Sequence, residues 1–180
     1  MRVGNDQARS RLFTHPKWQA WPCGPRAPQS VYFDPPIAIG LEPVPDYPEF
    51  DDPMQRPRYT GLATFMRAPI GEDLSQVDIG LVGVPFDGGV TNRTGARHGP
   101  REMRNQSSLM RRINQSTGVC PYELARVADV GDAWVRRPFE LESSLAEIAD
   151  FYTHLHGAGV VPVSAGGDHS ITLPILRALA

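Results

Sequence analysis

The chain has 180 residues, 41% of them hydrophobic and 21% charged, the balance of a soluble globular protein of about one domain. A net charge of −2 supplies no drive toward phosphate backbones, which argues against nucleic acid as a partner. No apolar run approaches the ~18 residues that a bilayer span needs, so no membrane partner is expected.

The N-terminus, MRVGNDQARSR, has no apolar h-region and does not read as a secretory signal. Cys23 and Cys120 lie far apart, which fits two free thiols in a cytoplasmic protein better than a disulfide framework. Residues 1–70 hold 12 of the 18 prolines and nine of the 15 aromatics. Proline blocks helix and central strand there, because it lacks the N–H and fixes φ. Disordered tails are poor in aromatics, whereas Trp18, Trp21, Tyr32, Phe33, Tyr47, Phe50, Tyr59 and Phe65 need a surface to cover. Residues 1–70 are therefore expected to form an arm that docks on the domain body or on a neighbouring subunit. Residues 71–180 are expected to form an α/β domain.

That domain begins with Asp78-Ile-Gly-Leu-Val-Gly-Val-Pro-Phe86, an apolar run that fits a strand buried on both faces. A loop from Asp87 to Gly99 follows. Pro100 then opens a helix reaching about Arg112, since its missing N–H costs nothing in the first turn. A turn around Gly118–Pro121 leads to a second strand at Ala125–Val130. After Pro138, the residues Leu141, Leu145, Ile148, Tyr152 and Leu155 recur at helical spacing. Gly157 and Gly159 end that helix. Val160–Val163 is a third strand, with Pro162 a mild objection to it, and Ser170 or Thr172 starts a last helix. Strands alternating with helices predict a parallel sheet covered by helices, with ligands at the strands' C-terminal edge. The loops 87–99 and 164–170 both leave from that edge.

Gly83-Val-Pro-Phe-Asp-Gly88 has the glycine spacing of a P-loop, but Gly89-Val90 stands where lysine and a hydroxyl residue are required. His154 and His156 point about 200° apart on a helix and cannot share an ion there; one surface and one half-buried histidine is the simpler reading. Arg93, Arg97, Arg101, Arg104, Arg111 and Arg112 form a basic cluster. It reads as an ion-paired helix face more readily than as a carboxylate contact. Asp129 and Asp132 read as turn formers. In Gly166-Gly167-Asp168-His169-Ser170, the glycines permit a sharp turn. His169 then offers a neutral imidazole to a divalent metal at the ligand edge. Asp168 reads as an orienting acceptor for that imidazole. A metallophosphoesterase built on Asp168-His169 needs an upstream D-x-H, and Asp87-Gly88-Gly89 breaks that pattern.

The stretch GVPFDGGVTNRTGARHGPREMR (83–104), followed by ADVGD (128–132) and SAGGDHSI (164–171), resembles the N-terminal half of the ureohydrolase family. The likeness is to the agmatinase and guanidino-acid hydrolase branch, over roughly residues 60–180. Thr94 departs from the proline frequent at that place in agmatinase-like sequences. The resemblance implies an arginase-like three-layer α/β/α fold with a parallel sheet, present here to about three strands. It also implies a trimer or hexamer at full length, two manganese ions, and a small guanidino substrate hydrolysed to urea and an amine. His169 is the family's metal ligand in this motif. The other ligands belong to D-A-H-x-D and D-x-D-x-x-D-P motifs, and neither is in the chain. Guanidinium carbon is a poor electrophile; paired metals lower a water's pKa to about 7, which one imidazole alone does not achieve. The 180 residues are accordingly expected to form an inactive and marginally stable N-terminal portion. The alternative is a non-catalytic remnant that associates with a full-length subunit.

Overall fold

A computed structural model describes residues 57–180. Tyr59 and Phe65 of the expected arm fall within this range; its tryptophans, Tyr32, Phe33, Tyr47, Phe50 and Cys23 lie outside it. Three parallel strands, β1 (Ile79–Val84), β2 (Val127–Asp132) and β3 (Val161–Gly166), form a sheet in the order β2-β1-β3. Ile79 is in register with Val127 on one side and Val161 on the other. The central position of β1 explains its apolar run: five of its six residues are buried.

Side chains of β1 alternate between two cores, as a period of two requires. Val82 and Val84 face one core with Ile148, Tyr152, Leu155, Val160 and Ile171. Leu81 faces the other, with Phe65, Ala68, Ala125 and Val127. The helices divide accordingly. α1 is Gly99–Ser107, α2 is Pro121–Leu124, α3 is Leu141–Gly157 and α4 is Thr172–Leu179. α3 and α4 cover the first face. The short 3₁₀ turn Phe65–Arg67 and α1 pack together on the second, which gives three layers. No helix among the described residues is long and apolar enough to cross a membrane.

α3 buries Ser144, Ile148, Tyr152 and Leu155, a stripe at spacings of four, four and three. Its end is set by Gly159, whose φ of 79° suits glycine and lets Val160 N–H reach the Leu155 carbonyl at 3.1 Å. Pro162 fits β3 for a geometric reason. The Val161 N–H donates to the Asp78 carbonyl, toward β1, so the next residue's nitrogen faces the sheet's outer edge, where no ladder donor is required.

Several element boundaries differ from the sequence reading. α1 stops at Ser107 rather than Arg112, because the Ser107 and Ser108 hydroxyls turn back onto the Arg104 and Asn105 carbonyls and compete with helix propagation. β2 starts two residues late and runs on through Asp132. Asp129 and Asp132 are thus strand residues rather than turn formers. His154 and His156 are both exposed, so neither is half-buried.

Candidate functional site

The C-terminal edge of the sheet is built by the loop after β1 and the turn after β3. Gly167 N–H donates to the Val84 carbonyl at 3.3 Å, and Asp168 N–H to the Phe86 carbonyl at 2.9 Å. These bonds seat the turn on the end of β1. They also require glycine at 167, where a Cβ would strike the backbone oxygens of Phe86 and Val84. A 3₁₀ turn, His169–Ile171, then leads into α4.

His169 is exposed at this edge, and its Nδ1 lies 3.2 Å from the Thr172 hydroxyl. A concavity of about 440 Å³ opens beside it, lined by Ser164, Asp168, Thr172, Ile175 and Leu176 among others. Beneath it the Tyr152 hydroxyl and Ser164 Oγ are 2.6 Å apart, and burial pushes the Tyr152 phenol above its ordinary range.

Asp168 does not orient the imidazole. One carboxylate oxygen accepts from the Ser170 N–H at 2.8 Å and from the Ser170 hydroxyl; the other accepts from Gly89 N–H at 2.8 Å. The carboxylate therefore caps the turn and joins it to the loop after β1. Asp87, which the sequence reading weighed only as the start of a broken D-x-H pattern, is buried at the root of that loop. It accepts from Gly95 N–H at 2.7 Å, Arg97 N–H at 3.2 Å and Arg97 Nε at 2.5 Å. The Arg97 hydrogen bond, helped by the two amides, outweighs burial and holds the Asp87 carboxyl down to about 2.

Three of the six arginines of the basic cluster make ion pairs. Arg104 lies over the Phe65 ring, 4.1 Å from its centroid, and pairs with Asp129 and Asp132 at 2.8 and 2.7 Å. Arg97 pairs with Asp87, and Arg112 reaches Glu123 at 3.9 Å. No group of three or more His, Cys, Asp or Glu side chains among the described residues converges as a metal cage. The residues present fit a metal in one respect: an exposed imidazole on a turn fixed from both sides. The nearby Asp168 carboxylate is occupied by its own turn and the adjoining loop.

Residues 77–180 match the model of the arginase family. Over 134 residues the chain is 53% identical to guanidinopropionase from Pseudomonas aeruginosa, covering 74% of this chain and 42% of that protein. It is 43% identical to a mitochondrial agmatinase of Gallus gallus over 68% of this chain and 36% of the relative. The fold superposes on proclavaminate amidino hydrolase from Streptomyces clavuligerus with a TM-score of 0.63, at 34% identity over 68% of this chain and 41% of the other. It also superposes on the N114H variant of Trypanosoma cruzi formiminoglutamase with Mn2+, with a TM-score of 0.51, at 26% identity over 59% of this chain and 36% of the other. The chain spans about two fifths of the length of these relatives. On its sequence and its three-layer parallel fold alike, the chain belongs to the arginase family.

Proposed function

We propose that this chain is the N-terminal portion of a manganese-dependent ureohydrolase that hydrolyses the guanidino group of agmatine or a guanidino acid to urea and an amine. The observation that carries the reading is the placement of His169, exposed on a doubly anchored turn at the ligand edge of a parallel sheet. Family membership and the names of the relatives support it.

In this reading His169 is a manganese ligand. When bound, the metal supplies polarisation of water, so that a nucleophile exists at neutral pH. The chain's own residues do the positioning. Gly167 and the Asp168 N–H fix the height of the turn on β1, and the Asp168 carboxylate fixes its depth against the 87–99 loop. Neutral imidazole is a suitable donor for such an ion, but hard cations also need carboxylate oxygens. Those donors would come from the family length beyond the residues matched here. The 180 residues alone are therefore expected to release no urea.

The test is urea release from agmatine, 3-guanidinopropionate and 4-guanidinobutyrate by the manganese-loaded product of the gene, beside the 180-residue chain. Turnover by the former, abolished by His169→Ala, supports the reading. Turnover by the 180 residues contradicts it. An open reading frame continuing past codon 180 with D-A-H-x-D would identify the source of the remaining ligands.

A further inference from the structure

We propose that the acidic, aromatic segment at residues 42–52 docks on the apolar and basic surface that follows α1, at residues 108–113 of the same chain. The assignment goes beyond the ureohydrolase reading and does not depend on it.

The surface is built where α1 stops. Leu109, Met110 and Ile113 stand 67%, 49% and 47% exposed within five positions. Arg111 is exposed between them, and the Arg58 guanidinium lies against the same stretch, donating to the Leu109 carbonyl at 3.4 Å. Neither Arg58 nor Arg111 forms an ion pair among the described residues. Three bare apolar side chains beside two uncompensated cations suit a partner that is both apolar and acidic.

The chain itself carries such a partner, and it enters the described structure at this place. Residues 1–56 lie outside the described residues. From Pro57 onward the chain runs alongside the end of α1: Arg58 meets Leu109, and Met66 N–H donates to Ser107 Oγ at 2.8 Å. Residues 42–52 hold five carboxylates, Glu42, Asp46, Glu49, Asp51 and Asp52, and no base, together with Tyr47 and Phe50. Residues 1–41 carry five bases and two acids, so their charge does not suit the same surface. Asp52 precedes Arg58 by six positions (58 − 52), which span at most about 22 Å. So short a tether gives the segment an effective concentration in the ~mM range, which favours its own chain over a neighbour. Tyr47 and Phe50 supply the large apolar anchors, and Pro43, Pro45 and Pro48 reduce the freedom that docking must remove.

Reciprocal substitutions test the contact in the gene product with its N-terminus intact. Tyr47→Ser with Phe50→Ser alters only the segment, and amide exchange is read on residues 108–113. Exchange there should rise on the order of tenfold, the worth of one lost anchor, while that of β1 stays as in the native chain. Leu109→Ser with Ile113→Ser alters only exposed positions of the body, and proteolysis by a glutamate-specific protease is read at Glu49. That cut should quicken by a similar factor, and about 0.5 M salt should quicken it in the native chain by screening the carboxylates. Unchanged exchange at 108–113 in the first variant, or an unchanged cut at Glu49 in the second, overturns the proposal. Protection that falls on dilution places the segment on another copy of the chain and overturns it as well.

Discussion

Arg104 and Asp129 form a two-pronged pair: Nε and Nη2 of the guanidinium meet the two carboxylate oxygens at 2.8 and 2.9 Å. The same carboxylate accepts from Phe65 N–H at 2.9 Å and from Gly131 N–H at 3.0 Å. One buried group therefore holds α1, β2 and the segment before β1 in a single arrangement.

Removing one partner leaves the other charge buried. The Arg104 side chain is 13% exposed and that of Asp129 5%, so water offers little compensation. Arg104→Leu should destabilise the fold by roughly 3 kcal/mol, read from urea denaturation midpoints of the longer gene product proposed above. Arg104→Lys should recover only part of this, since an ammonium does not span both oxygens. A loss under about 1 kcal/mol for the leucine variant would show that the network is not a structural tie.

Gly167→Ala should disturb the His169 turn directly, because the added methyl meets backbone oxygens of Phe86 and Val84, which have no rotamer to escape into. An overpacking cost of about 1–3 kcal/mol is expected, together with weaker manganese binding. Thermal melting and a metal titration on one preparation check both parts.

Loop anchoring by Asp87 should depend on acid in a defined direction. Its folded carboxyl titrates near 2, below the ordinary carboxylate value, so ionised Asp87 contributes stability that is complete above about pH 4. That contribution is lost as pH falls from about 4 through 2. Asp87→Asn should be less stable than the native chain at pH 7, and the gap should close toward pH 2. A gap that stays constant across this range would place the Asp87 effect elsewhere.

Tyr152→Phe leaves the Ser164 hydroxyl without its 2.6 Å partner beneath the concavity. A cost of about 1 kcal/mol is expected, with no change in the fold, measurable as a shift of the urea midpoint.

The parts of this structure that could be read in the sequence are those set by periodicity. The run through Val82 and Val84 announced a strand covered on both faces, and the spacing of Ile148, Tyr152 and Leu155 announced the stripe of α3. Glycine and proline marked most element ends. His169 was legible because its turn follows an apolar strand and is framed by glycines. The carboxylate pairings were not legible. Asp129 finds Arg104 across 25 positions, and Asp168 finds Gly89 across 79, so each bond exists only after the sheet order has brought the segments together. Lone aspartates in a sequence carry no mark of such distant partners. The end of α1 was lost for another reason: two serines whose hydroxyls compete for helix carbonyls look unremarkable in composition.

The role of the His169 imidazole is most directly tested by titrating the purified 180-residue chain with manganese and following free ion by electron paramagnetic resonance. A single weak site that disappears in His169→Ala is the predicted result. Tight uptake of two ions, or binding indifferent to the His169 substitution, would contradict the account.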